Sequence, residues 1–248
     1  MSTSTINYPE TSWPVRPDLQ NAHQRAWLHI SSPGTWLNGT ERVKVAAEIR
    51  VAPACALCAA AVQALSPKSI AGSHTHTVDL PSLWIEVIHR VRNDAARITD
   101  SWYESLLERD LSPQIYVEIV GVLAHVVAID SFTDALGLPR HSLPNARSGE
   151  PARVLPTGAK LGLARVPTVA PEDVTPAEVD LYEGLSGANI HRALSLVPAE
   201  VWSFFDLDTV MYLPDSQLRD FTQEYRAIDH AQIELVAARV SALNHCFY

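Results

Sequence analysis

Two cysteines stand three residues apart in the segment Cys55-Ala-Leu-Cys58. On a helix this spacing puts both thiols on one face, where they can close a disulfide. Backbone N–H groups at the start of a helix favour the thiolate, which is the nucleophilic form of cysteine. One thiolate can then attack the O–O bond of a peroxide, and its neighbour can resolve the resulting sulfenic acid. Buried structural thiols and half of a metal site are the alternatives for this pair.

The third cysteine, Cys246, belongs to a weak internal repeat. With an offset of 191 residues (246 minus 55), Cys55 aligns with Cys246 and the Val-Ala-Ala segment at 45–47 aligns with that at 236–238. The alignment suggests that a helix followed by a cysteine occurs twice. His245 stands beside Cys246 and could accept its proton, or it could be a solvated turn residue.

Other polar residues give weaker signals. Glu118 and His125 are seven residues apart and share one face of an apolar segment. They could form a proton relay facing Cys55, and a satisfied structural pair or two unrelated caps is the favoured alternative. His74-Thr-His76 is more typical of a loop than of a metal-binding pair. No metal and no cofactor is predicted.

The spacing of apolar residues predicts the helices that would position these groups. Asn38 or Thr40 can cap a helix that runs to Val51 and is ended by Pro53, so that Cys55 would begin the next helix. Further helices are predicted over residues 82–106, 189–196, 201–212 and 216–240. The absence of a hairpin signal with strand-like flanks makes all-α the predicted fold class.

The most apolar predicted helix begins at Ser112, which can cap it, and at Pro113. It runs to Leu136, where Gly137 is a plausible left-handed stop. Because this segment is apolar nearly all round, we expect it in the centre of the core.

Prolines divide the chain. Seven of the 17 prolines fall between Pro139 and Pro176, where no helical or strand period is sustained. This predicts an extended linker. The expected organisation is a first helical repeat over 1–138, a Pro-rich linker over 139–180 and a second repeat over 181–248.

The last part of the chain carries a family resemblance. Residues 231–248 resemble the signature region of the alkylhydroperoxidase D-like, carboxymuconolactone decarboxylase superfamily, and residues 189–198 resemble the helix that precedes it there. The peroxidase motif of this family has a Glu twelve residues before a C-x-x-C pair and a His four residues after the second cysteine. Glu234 and Cys246 match its first two positions. Its second cysteine and its His would be positions 249 and 253, beyond Tyr248, so we expect the sequence to be truncated.

The first repeat departs from this motif in the opposite way. Cys55 and Cys58 are both present, but Val43 and Val62 stand where the family has Glu and His. Glu41 and Glu48 are nearby, and neither has the family spacing.

The resemblance implies two helical repeats that reduce a hydroperoxide, with electrons returned by a dithiol protein or a small thiol. In the second repeat the cysteine expected at 249 would attack, Cys246 would resolve and Glu234 would manage protons. Among the residues present, Cys55 and Cys58 are the dithiol that could cycle. Family members assemble through helix faces, which implies a homo-oligomer.

Two other functions stay open. A lyase of the carboxymuconolactone decarboxylase type does not need a C-x-x-C pair, so the cysteines count modestly against it. A non-catalytic, degenerate helical oligomerisation module would explain Val43 and Val62.

Composition restricts the class of protein. With 47% hydrophobic and 19% charged residues, the chain can bury a large core. Its formal charge of −9 disfavours binding to nucleic acid or to an acidic membrane surface. The sequence shows no apolar run near the ~20 residues of a membrane span and no basic-then-apolar N-terminus. A soluble cytoplasmic protein is the prediction.

Overall fold

The computed structural model describes residues 5–8, 11 and 13–246. The chain is 55% helix and 2% strand, which confirms the all-α class. The helices of the described residues are α1 (Pro17–Ser31), α2 (Gly39–Val51), α3 (Ala56–Gln63), α4 (Ser82–Asp94), α5 (Asp100–Leu107), α6 (Pro113–Ala135), α7 (Asn189–Arg192), α8 (Pro198–Met211), α9 (Asp215–Leu218) and α10 (His230–Leu243).

The predicted helix ends at α2 and α6 are confirmed. Asn38 caps α2 by accepting from the backbone N–H of Glu41, whose carboxylate accepts from the N–H of Asn38 in return. Ser112 caps α6 through the N–H of Ile115. Gly137 follows α6 with a φ of +68°. Local capping chemistry therefore fixes both elements.

Two predicted helices are interrupted. The segment 82–106 is not continuous, because Thr99 accepts from the N–H of Trp102 and starts α5 after a 3₁₀ turn at Ala95–Arg97. The guanidinium of Arg97 donates to the carbonyls of Ala61 and Ala64 and so ties this break to the end of α3. The predicted helix over 216–240 is likewise α9 and α10.

Asp229 causes this second interruption. It caps α10 through the N–H of Gln232, whose side chain bonds the N–H of Asp229 in return. The apolar spacing continues across both breaks, so periodicity alone could not show them. Helix α1 was not predicted, and the helix expected over 189–196 is only the short α7.

The Pro-rich segment is more than an extended tether. Strand β1 (Ala159–Lys160) pairs antiparallel with β2 (Thr168–Val169), and 3₁₀ turns follow at Pro171–Asp173 and Pro176–Glu178. The N–H of Arg147 donates to the carbonyl of Ser31 at 2.8 Å, and the N–H of Ala152 donates to that of Gly34. The Pro-rich segment thus lies alongside the turn after α1 and is hydrogen-bonded to it.

One hydrophobic core spans both predicted repeats. Helix α8 packs against α1 and α6, and its Val201 and Phe205 belong to the same buried cluster as Trp27 of α1 and Ile119 of α6. The division into two repeats and a linker stays a prediction.

Helix α6 is long and apolar enough to cross a membrane, and half of its most apolar window is buried inside the fold. The expectation that no apolar run approaches a membrane span is therefore wrong for this helix. The core helix of a soluble protein meets the same criterion, and α6 contacts α1, α2, α4 and α8.

A buried ion cluster joins three helices. Arg42 of α2 is fully buried, and its Nη1 donates to Glu118 Oε1 of α6 at 2.6 Å and to Glu200 Oε1 of α8 at 2.7 Å. Glu118 also accepts from the backbone N–H groups of Trp36 and Leu37. The Arg42 guanidinium is therefore the cation that makes two buried carboxylates tolerable.

We expect Arg42→Met to destabilise the fold strongly. The substitution leaves Glu118 and Glu200 buried without their cation, which typically costs about 3–5 kcal/mol in the free energy of unfolding. Arg25→Met is the matched control, because Arg25 pairs with Asp206 between α1 and α8 at the surface. Loss of an exposed pair typically costs only ~0.2–1 kcal/mol. Urea unfolding of both variants measures the difference, and equal losses would contradict the assignment.

His23 provides a test of acid sensitivity. It is fully buried, its Nδ1 lies 2.5 Å from the Tyr8 hydroxyl, and its Nε2 has no hydrogen-bond partner among the described residues. Burial, assisted by His141, lowers the pKa of His23 to about 4. The unfolded state, with an ordinary pKa of about 6.5, binds more protons between these values. The free energy of unfolding should therefore fall as the pH decreases from about 6.5 to about 4.

The variant His23→Leu should show a shallower decline across this window, by up to ~1.4 kcal/mol per pH unit. Urea unfolding at several pH values gives both slopes. Equal slopes for the two proteins would show that His23 does not contribute.

Candidate functional site

The end of α2 positions the dithiol. A 3₁₀ turn at Ala52–Ala54 follows α2, and Cys55 is the N-cap residue of α3. This confirms the predicted helix start. Cys58 lies one turn into α3, and both cysteines are buried in the reduced state.

Two histidines from distant parts of the chain complete a cluster with these cysteines. Nδ1 of His74 lies 3.4 Å from Cys58 Sγ and 3.7 Å from Cys55 Sγ. Nδ1 of His89 lies 3.3 Å from Cys58 Sγ. The four atoms all lie within 4.8 Å of one another. His74 comes from the irregular segment before α4, and His89 from the buried face of α4.

Glu48 of α2 orients His89. Its Oε1 lies 2.7 Å from His89 Nε2, and its Oε2 accepts from the N–H of Thr77 at 3.2 Å. Glu48 and His89 are both fully buried. Because the carboxylate accepts at Nε2, the Nδ1 lone pair of His89 faces Cys58. The same carboxylate, through Thr77, also holds the segment that carries His74.

The two thiols have different electrostatic environments. Burial works to raise the pKa of the Cys55 thiol, but N–H groups of Cys58 and Thr75 outweigh it and lower that pKa below its ordinary value. Burial, together with the neighbouring Cys55 sulfur, raises the pKa of Cys58 to about 12. Burial also lowers the pKa of His74, and His89 adds to this effect. A single thiolate on the pair is thus favoured, and a second negative charge is not.

A pocket of about 740 Å³ opens beside the cluster. Cys58, His74 and His89 line it, whereas Cys55 is not part of its wall. Its wall combines apolar side chains such as Ile85 and Trp102 with a mainly basic set of charges: Lys68, Arg90, Arg97, Arg109, Glu86 and Asp94. A small molecule entering this pocket would meet Cys58 before Cys55.

The site residues predicted for the second repeat lie on α10 and just after it, and they are not part of the Cys55–Cys58 cluster. Glu234 is on α10, where its carboxylate accepts from the Tyr212 hydroxyl at 2.6 Å. His245 and the exposed Cys246 follow the end of α10. Their proposed roles stay predictions.

The alternative relay through Glu118 and His125 does not face Cys55. Glu118 binds Arg42, while His125 bonds the carbonyl of Gly121 at 2.7 Å and the Ser203 hydroxyl at 2.9 Å. Both side chains are fully buried, because the α6 face that carries them packs on α2 and α8. Each side chain is bound by its own partners within the fold, so these contacts agree with separate structural roles for Glu118 and His125.

His29, His125 and Glu200 also bring three potential ligand atoms together. Here the Arg42 guanidinium already lies 2.7 Å from Glu200 Oε1. A dication would meet this fixed positive charge, so the group serves the buried ion cluster instead.

Sequence reasoning missed His89 and set aside Glu48 and His74. His74 does lie in an irregular segment, as expected, but its Nδ1 contacts both sulfurs. A signal for His89 existed, because the period of α4 puts it on the same buried face as Ile85 and Ile88, where an imidazole needs polar partners. Glu48 was set aside because of its spacing, yet it is the carboxylate that reaches the cluster.

Comparison with protein-family models, with curated proteins and with solved structures gives no match for this chain.

Proposed function

We propose that the Cys55–Cys58 pair reduces hydroperoxides. The observation that carries this proposal is the position of Cys58, which lines the pocket together with His74, 3.4 Å from its sulfur. Cys55 lies within 4.8 Å of both ligand atoms and is not part of the pocket wall. The resemblance to the alkylhydroperoxidase D-like superfamily assigns attack to the second cysteine of the pair and resolution to the first. The order of the two thiols relative to the pocket supports the same assignment.

The first step oxidises Cys58. His74 takes the proton of the Cys58 thiol, and the resulting thiolate attacks the terminal oxygen of the hydroperoxide. The O–O bond breaks, Cys58 becomes a sulfenic acid, and the alkoxide leaves as an alcohol with the proton from His74. Burial raises the pKa of Cys58 to about 12 and lowers that of His74, so this proton transfer is uphill and must occur together with the attack on the peroxide. The electrostatics by themselves favour the thiolate on Cys55. The order of the two thiols in this proposal therefore rests on the position of Cys58 at the pocket.

The second step closes the pair. The Cys55 sulfur attacks the Cys58 sulfenic acid, an S–S bond forms, and the hydroxyl leaves as water with the Cys55 proton. The dithiol has then lost two electrons, and the hydroperoxide has become an alcohol and water. An external dithiol reduces the disulfide and is itself oxidised to a disulfide. A reducing compartment such as the cytoplasm would supply it.

A second candidate function is oligomerisation without catalysis. Leu235, Val236, Val240 and Leu243 of α10 are each more than half exposed. Such an apolar surface favours association with other copies of the chain. Association is compatible with peroxide reduction, so turnover is the property that separates the two functions.

The cysteine variants are expected to differ in their reaction with peroxide. In metal-free, reduced protein, Cys58→Ser should abolish peroxide consumption. Cys55→Ser should accumulate a Cys58 sulfenic acid that dimedone traps, since the resolving thiol is absent. The wild type should instead lose the mass of two hydrogens as the disulfide forms. Peroxide consumption and intact mass measure these outcomes.

Cys246→Ser is the matched control and should keep wild-type turnover. Turnover that survives Cys58→Ser but not Cys246→Ser would move the activity to the second repeat. Unchanged thiols in the wild type after peroxide treatment would contradict peroxide reduction and favour the oligomeric function.

A further inference from the structure

We propose that Cys55, Cys58, His74 and His89 bind a Zn²⁺ ion in a tetrahedral site. The set contains two sulfur and two imidazole ligands, which is a common composition of structural zinc sites. It is assembled from α3, α4 and the segment between them, so an ion would connect three stretches of chain. This inference does not depend on peroxide reduction.

The geometry suits the ion. With Zn–S bonds near 2.3 Å and Zn–N bonds near 2.0–2.1 Å, a tetrahedral site separates neighbouring sulfur and nitrogen ligands by ~3.6 Å. The observed Sγ–Nδ1 distances are 3.3, 3.4 and 3.7 Å. Each residue presents one ligand atom to the common centre. Three of the six ligand–ligand distances therefore lie close to the tetrahedral value, and the other three are at most 4.8 Å.

The charges also suit the ion. Two thiolates neutralise Zn²⁺, which makes burial of the site tolerable, whereas two adjacent thiolates without a cation would repel each other. Glu48 accepts from Nε2 of His89 at 2.7 Å and thereby forms the carboxylate–histidine–metal arrangement that fixes the ligating nitrogen. Among the described residues the ion pair of Glu48 is with His89, whereas Glu200 also binds the Arg42 guanidinium.

The pocket offers a path for the ion. Cys58, His74 and His89 line its wall, so an ion can reach three of its ligands from that side. With all four residues bound, the coordination is complete and no open position is left for a substrate. We therefore assign a structural role to the bound metal.

Titration of the metal-free full-length chain with Co²⁺ tests the proposal directly. We expect one equivalent to bind with the absorption of a tetrahedral complex and a thiolate-to-metal charge-transfer band. Zn²⁺ should displace it stoichiometrically. An octahedral spectrum, or no binding of either ion, would overturn the proposal without any variant.

Variants then identify the ligands. His74→Ala leaves three protein ligands and should weaken Co²⁺ binding and shift its absorption bands, because water must take the fourth position. His76→Ala, at the exposed histidine two residues away, should leave both the affinity and the bands unchanged. Glu48→Ala should weaken binding by about 10- to 100-fold, the usual effect of losing an outer-shell partner. Cys246→Ser should bind as the wild type does. Equal binding by the His74 and His76 variants would exclude the proposed ligand set.

The two proposals can fail separately. Tetrahedral Co²⁺ binding without peroxide turnover in the metal-free protein would leave the metal site and remove the peroxidase. Peroxide turnover without metal binding would support the peroxidase and exclude the metal site. If both hold, peroxide should release the ion: the two bound thiolates become a disulfide, and the hydroperoxide with two protons becomes an alcohol and water.

Discussion

The interaction on which the fold depends is the buried pairing of Arg42 with Glu118 and Glu200. One cation from α2 pairs with carboxylates from α6 and α8, and none of the three side chains is exposed to solvent. Because an isolated buried charge is so unfavourable, the three helices must adopt the positions that keep these groups together. This requirement fixes α2 in the core, and α2 leads directly to Cys55.

Helix α2 therefore connects the core with the candidate site. Arg42 near its start binds α6 and α8, and Glu48 near its end binds His89 of α4. The 3₁₀ turn after α2 then places Cys55 at the start of α3. A shift of α2 would change the Glu48–His89 contact and the cysteine positions together, so the stability of the core and the geometry of the cluster are coupled.

Features of the fold that depend on neighbouring residues could be predicted from the sequence. The caps at Asn38 and Ser112, the stop at Gly137 and the helix start at Cys55 depend on neighbouring residues, and all four are observed. The breaks at Thr99 and Asp229 were missed because apolar spacing continues across them. The cluster was missed because its histidines lie 16 and 31 residues from Cys58, a relation that only the fold creates.

Because the fold brings distant residues to the two cysteines, Val43 and Val62 no longer argue that the site lacks a carboxylate and an imidazole. By spacing, the predicted first repeat lacks the Glu and His of the motif that the sequence resembles, and this favoured a degenerate, inactive repeat. In space, however, Glu48 supplies a carboxylate and His74 and His89 supply imidazoles beside the two sulfurs. The chemistry that a motif encodes needs atoms at given distances, and different chain positions can provide them. The valines thus show only that the motif spacing is absent, and the cluster keeps the groups required for proton transfer or metal binding.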